Sequence, residues 1–142
     1  MDFAESPGLL INKLAHMMSL DMDRRLKVHD VTISQWALLK QIWQQEGRSQ
    51  VEIQELLGLD GATITGLVQR MVHLGLIQRR PDLNDRRVQR VFLTERGRAL
   101  EQITKSLEET VNAQALKGFS TDERTFFIRL LIRALQNSEE EL

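Results

Sequence analysis

Residues 59–94 read LDGATITGLVQRMVHLGLIQRRPDLNDRRVQRVFLT, and a change of rhythm inside this stretch decides the fold. In its first half the apolar residues Ile64, Leu67, Val68, Met71 and Leu74 recur at helical spacing and share one face. Asp60 stands where an N-cap belongs, and Gly75 stands where a left-handed residue closes a helix. The opposite face is Ala62, Gly66, Gln69, Arg70 and His73, flanked by Thr63 and Thr65. After Gly75 the period becomes two: LIQRR and VQRVFL read as strands, with Val91 and Leu93 on one side, and PDLND between them is turn chemistry. The stretch therefore predicts a helix followed at once by a two-stranded ribbon with arginines around its tip.

Working toward the N-terminus, SQVE is a capping box, with Ser49 and Glu52 three residues apart. It opens a short helix carrying Ile53, Leu56 and Leu57 that stops at Gly58. Two helices separated by GLD are the pattern of a helix-turn-helix. Before it, TISQ offers Thr32 or Ser34 as the cap of a helix with a broad apolar band, Trp36, Leu38, Leu39, Ile42 and Trp43, expected to be central. At the start, SPGLL places Ser6 at an N-cap and Pro7 at the first helical position. The helix that follows is apolar on two stripes, Ile11, Leu14, Met18 and Met22 on one, Leu10 and Met17 on the other. Such a helix touches two bodies, and its own domain plus a partner subunit would fit.

Toward the C-terminus, Thr94 caps a long helix with Leu100, Ile103, Leu107 and Val111, which ends near Gly118. STDE is another capping box, Ser120 with Glu123. The last helix lines up Phe127, Leu130, Leu131, Ala134 and Leu135, and the tail NSEEEL is expected to fray.

The 142 residues suffice for one domain with a real core. The absence of cysteine excludes disulfides, zinc-finger patterns, iron–sulfur sites and thiol redox sensing. His16, His29 and His73 lack metal-ligand spacing, and no cofactor is expected. The start of the chain has neither a signal-peptide pattern nor a long apolar run, so no membrane role is read and the cytoplasm is the expected compartment. No catalytic residue is assigned: there is no phosphate loop after a strand and no cysteine nucleophile, and the serines sit mostly at caps.

The net charge of −1 hides an uneven distribution. Residues 69–98 carry eight arginines against three acids, a local +5, while the segments on either side each sum to −3. That is a localised electrostatic footprint of the kind double-stranded DNA requires, or else an ordinary solvated surface. On the DNA reading, Arg79, Arg80, Arg86 and Arg90 position the ribbon on phosphates, and Arg87 is suited to a narrow minor groove. Thr63, Thr65 and Gln69 can hydrogen-bond bases or phosphates, and Ala62 and the threonine methyls can meet thymine. Ser49 and Gln50, at a helix N-terminus, can touch the DNA backbone. Arg70 has three readings: a base edge, a phosphate, or an intramolecular ion pair. Gly66, which costs about 1 kcal/mol in a helix interior, either permits close approach of another surface, relieves crowding or is simply tolerated. His16, Met17, Met18, Trp36 and Trp43 either pack as core, the simpler account, or line an effector cavity.

The order of elements and several phrases resemble the MarR family of winged-helix regulators, over nearly the whole chain. The most specific phrase is Asp-x-Arg, five residues, Leu-Thr: here Asp85-Arg86-Arg87, VQRVF, Leu93-Thr94, followed by ERG. ISQWALL, LGLDGATIT and HLGLIQRR fall where family members carry similar phrases. The resemblance implies a homodimer whose terminal helices interlock, a second motif helix set in the major groove, and a wing reaching the adjacent minor groove. It also implies a repressor released by a small, often aromatic, anion bound between the dimerisation helices and the DNA-binding lobe. Many members carry an arginine after TVT; here TIT is followed by Gly66, so a base contact from that arginine has no counterpart at this position.

The expectation is a mostly α chain with a small β-ribbon, a single MarR-type domain over 1–142. The winged helix-turn-helix occupies 32–96, with the helix-turn-helix at 49–74 and the wing at 76–93, between dimerisation helices at 7–30 and 95–138. Dimer symmetry then calls for an inverted-repeat operator with half-sites roughly 10 bp apart. The rival is a winged helix serving as a protein-interaction module, which calls for exposed apolar residues on the second motif helix.

Overall fold

The computed structural model describes residues 3–142. After a short 3-10 turn over Phe3–Glu5, six helices and one antiparallel ribbon follow among the described residues: α1 (Pro7–Lys27), α2 (Ile33–Gln44), α3 (Gln50–Leu57), α4 (Gly61–His73), β1 (Ile77–Pro81), β2 (Gln89–Leu93), α5 (Glu95–Ala115) and α6 (Thr121–Glu141).

The helix starts follow the sequence signals. Thr32, not Ser34, caps α2, in a reciprocal capping box with Gln35. Ser49 with Glu52 and Ser120 with Glu123 form the two expected boxes. Asp60 and Thr94 cap α4 and α5 through their side chains. Ser6 differs: Pro7 occupies the first turn as expected, but the Ser6 side chain makes no cap hydrogen bond. α1 ends at Lys27, and a turn through Asp30, in the left-handed region at φ 58°, leads into α2.

The tail corrects a second expectation. Rather than fraying from Asn137, α6 runs on to Glu141. Nothing in NSEEE breaks a helix, glutamate propagates one well, and the Ser138 hydroxyl donates back to the Ala134 carbonyl at 3.0 Å.

The core lies where α1, α2, α3, α4 and the root of the ribbon meet. Leu26, Leu38, Leu39, Ile42, Ile53, Ile64, Val68, Met71, Ile77 and Val91 are fully enclosed, each worth roughly 1.5–3 kcal/mol of burial. Leu100 and Val111 bring α5 to this core. α6 buries no residue, and Phe126, Ile128, Leu130, Leu131, Ile132 and Leu135 are all exposed along it.

The ribbon pairs Ile77 with Leu93, Arg79 with Val91 and Arg80 with Arg90. A third arm was not legible in the sequence. The Gly47 N–H donates to the Val91 carbonyl and the Val91 N–H to the Arg48 carbonyl, both at 3.0 Å, and Ser49 bridges Arg90. The chain entering α3 thus satisfies the outer edge of β2, and the helix-turn-helix and the ribbon form one body.

Candidate nucleic-acid interface

α4 presents the face the sequence predicts. Ile64, Leu67, Val68 and Met71 are buried, while Ala62, Thr63, Thr65, Gln69, Arg70 and His73 are exposed and Gly66 is half-buried. Asp60 takes the Thr63 N–H at 2.7 Å and the Thr63 hydroxyl at 2.9 Å. The Thr63 N–H is the main reason the Asp60 carboxyl sits below the usual carboxylate range. Thr63 therefore keeps only lone pairs and a methyl group for a ligand. Thr65 accepts from the Gln50 amide at 3.3 Å, which ties the start of α3 to α4 and leaves the Thr65 O–H free to donate. Ser49 is buried and its hydroxyl is committed to the Glu52 box, so of the two residues placed at this helix start Gln50 is the more accessible.

At the wing, Arg80 and Arg90 stand directly opposite each other, a like-charge pairing that costs stability unless it is compensated. Arg90 turns to Asp82 at 2.6 Å and donates to the Gly47 carbonyl at 2.9 Å. Arg80 lies over the Phe92 ring, 4.3 Å from its centre, and donates to Gln78. Arg90 is thus a brace between the wing tip and the third arm, with its charge largely spent. Asp82 also accepts the Asn84 and Asp85 amides, which rigidifies the tip. Asp85 accepts the Arg87 backbone N–H, Nε and Nη2, each at 3.1 Å. The Arg87 guanidinium holds the Asp85 carboxyl below the usual range, and Arg90 does the same for Asp82. The Asp-x-Arg phrase is thus a bidentate clamp that fixes the direction of a largely exposed arginine.

Two further arginines of the basic segment serve the fold. Arg96 donates to the Leu74 carbonyl at 2.8 Å, capping the end of α4. Arg98 clasps both oxygens of Glu46 at 2.7 and 2.8 Å, and Glu46 also accepts the Leu93 N–H at 3.0 Å. Burial pushes the Glu46 carboxyl up, but that hydrogen bond and Arg98 outweigh it and the net shift is downward. Sequence reasoning missed this pair because its members are 52 residues apart. The side chains of Arg70, Arg79 and Arg86 have no hydrogen-bond or ion-pair partner among the described residues.

The wing root is seated on α5. The Thr94 hydroxyl donates to the Gly75 carbonyl at 2.6 Å, and Trp43 Nε1 donates to the Gly97 carbonyl at 2.9 Å. A Cβ on Gly97 would run into the Leu76 carbonyl oxygen, which gives the glycine of ERG a packing reason.

The candidate effector residues separate. Trp36 is in the core, with the Lys40 ammonium 3.6 Å from its ring centre. It borders a cavity of about 270 Å³ with Met18, Met22, Ile33 and Val111, and an open cleft of about 520 Å³ with Lys40, Trp43 and Lys105. His16 and Met17 line neither; both are exposed, on the other side of α1 from Met18 and Met22. Among the described residues no helix is long and apolar enough to cross a membrane.

Comparison with known proteins gives consistent matches. Residues 31–88 match the model of the MarR family. The chain is 34% identical over 128 residues to the HTH-type transcriptional regulator TtmR of Methylorubrum extorquens, covering 90% of this chain. It spans 63% of the length of that relative. Its fold is similar to the crystal structure of wild-type MarR from E. coli in its apo form, with TM-score 0.85 and 26% identity, covering 92% of this chain and 96% of that one. It is also similar to a mutant MarR from E. coli complexed with operator DNA, with TM-score 0.77 and 26% identity, covering 90% and 92%.

Proposed function

We propose, from its match to the MarR family model and its similarity to MarR-type regulators, that the chain is a sequence-specific, DNA-binding transcription regulator acting as a homodimer. α4 enters the major groove, and the wing follows the duplex to the adjacent minor groove. The observation that carries this reading is the set of idle cations: Arg70, Arg79 and Arg86 have no acceptor among the described residues, while nearby Arg87, Arg90, Arg96 and Arg98 all have one. Arginines with no task inside the fold suit phosphate and base contacts. Thr65, Gln69 and Ala62 supply the remaining surface of α4, Gln50 reaches the backbone beside it, and Arg87, aimed by Asp85, enters the minor groove. Arg80 stays near the duplex on its Phe92 platform, while Arg90 shapes the tip.

The dimer rests on α1 and α6. A helix of 21 residues with none buried, touching its own chain mainly through the Phe119–Phe127 ring contact, has little packing of its own to hold it. Its exposed leucines, isoleucines and Phe126, with Leu10, Leu14 and Met17 of α1, form the apolar surface a second copy would cover. Binding by a symmetric dimer gives an inverted-repeat operator, and repression is relieved when a small aromatic anion takes the space beside Trp36, with Lys40 or Lys105 as counter-charge. The rival, a protein-interaction module, needs apolar residues on the outer face of α4, where small and polar ones stand.

The test is selection from a random-sequence duplex pool by the purified dimer, followed by binding in the presence of benzoate. Enrichment of an inverted repeat, released by benzoate, is expected. A dimer that enriches no duplex supports the interaction module instead, and an enriched duplex that benzoate leaves bound removes the effector step.

A further inference from the structure

We propose that Arg70 is the residue of α4 that reads a base edge, and that Gly66 is the space its guanidinium occupies; this rests on the DNA-binding reading above. A Cβ built on Gly66 would have one atom within 4 Å, Arg70 Nη1 at 3.5 Å. The arginine therefore lies back along α4 by one turn, the direction in which long helical side chains lean. Its Cα belongs to the later part of the helix, but its charge sits at the level of Gly66, nearer the end of a recognition helix that meets the bases.

Crowding does not force this arrangement. On its other side Arg70 borders an open cleft of about 370 Å³ with Gln35, Gln69, His73 and Leu74. Nor does an acid hold the guanidinium, since Arg70 has no ion-pair partner among the described residues. A planar fork with unused N–H donors matches the O6 and N7 acceptors of guanine in the major groove. A methyl group at position 66 would leave the guanidinium at ordinary contact distance, whereas a larger side chain would take its place. The need for a small residue at position 66, which alanine would meet as well as glycine, is thereby explained by the residue one turn on.

The experiment uses the duplex that the wild-type protein selects from a random pool, its single-base-pair variants, and a random duplex. Arg70→Ala and Arg70→Lys should each lose roughly 5- to 150-fold discrimination at one G·C pair in each half-site. Arg70→Lys should keep the salt dependence of binding. Gly66→Ala should bind within about twofold of wild type, since its methyl meets only an ordinary contact. Gly66→Leu should lose the same discrimination as Arg70→Ala and add nothing in the double variant. Equal weakening of selected and random duplexes by Arg70→Ala, with a shallower salt slope, would make Arg70 a phosphate contact and overturn the proposal. So would weakening by Gly66→Ala whatever stands at position 70, because Gly66 would then serve close approach of the DNA itself. A rise in dimer dissociation on Arg70→Ala would place the residue in the subunit interface and also overturn it. If the wild-type protein selects no duplex, the DNA-binding reading fails first, a result separate from these three.

Discussion

Replacing Gly97 by alanine adds one methyl group at the joint between the wing and α5. That Cβ would overlap the Leu76 carbonyl oxygen and sit 3.2 Å from both the Leu76 carbonyl carbon and Leu93 Cδ2. The obstacle is backbone, not the end of a flexible side chain. The Leu76 carbonyl is pinned as well, because it accepts the Thr94 N–H at 3.2 Å. α5 must therefore shift away from the ribbon, at an overpacking cost of about 1–3 kcal/mol. The shift also strains the 2.9 Å bond from Trp43 Nε1 to the Gly97 carbonyl, worth about 1 kcal/mol. The expected loss is about 2–4 kcal/mol. With a urea slope of about 1–3 kcal/mol/M, the unfolding midpoint should fall by roughly 0.7–4 M at unchanged slope. Protein concentration must be held fixed, since association couples to stability. Gly66→Ala is the internal control: its methyl meets only Arg70 Nη1 at 3.5 Å, so it should stabilise by about 0.5–1 kcal/mol. The same chemical change should move the midpoint in opposite directions at the two sites. If Gly97→Ala costs less than about 1 kcal/mol, the joint is not tight and the packing account of ERG is wrong.

The wing supplies further expectations. Asp85→Asn makes the tip more basic yet frees Arg87, so binding to a selected duplex should weaken by roughly 2- to 13-fold, the range for ordering one long side chain, while binding to a random duplex should not; titration of both duplexes checks this, and tighter binding to the selected one would reduce Asp85 to a turn residue. Arg79→Ala and Arg86→Ala should each lower the slope of log affinity against log salt by about 1, whereas Arg96→Ala and Arg98→Ala should lower the thermal midpoint and leave that slope alone; the reverse pattern would contradict the assignment of idle and committed arginines. The Asp82 and Asp85 carboxyls are held below their ordinary range by Arg90 and Arg87, so their contribution to folding is complete above about pH 4 and is lost as pH falls through the lowered values. The stability difference between wild type and the Asp82→Asn, Asp85→Asn double variant should accordingly stay constant from about pH 5 to 8 and shrink only below about pH 4; a difference that varies near neutrality would mean other groups control it.

The sequence alone determined what is local. Apolar spacing placed α2, α4 and α5; capping boxes at Ser49 and Ser120 placed two helix starts to the residue, while the start of α2 stayed open between Thr32 and Ser34; and the switch from period 3.6 to period 2 after Gly75 located the wing. The Asp-x-Arg phrase already set Asp85 and Arg87 two residues apart, where the backbone leaves them little choice but to pair. The tertiary structure decided which charges are free. Eight arginines between residues 69 and 98 look alike in sequence, yet Arg90, Arg96 and Arg98 are spent on Asp82, the Leu74 carbonyl and Glu46. The third arm on β2 and the exposure of His16 and Met17 were decided the same way. A guanidinium carries one charge wherever it stands, but whether it meets a carboxylate depends on chain segments up to 52 residues away. That distance is closed only by packing, and no periodicity records it.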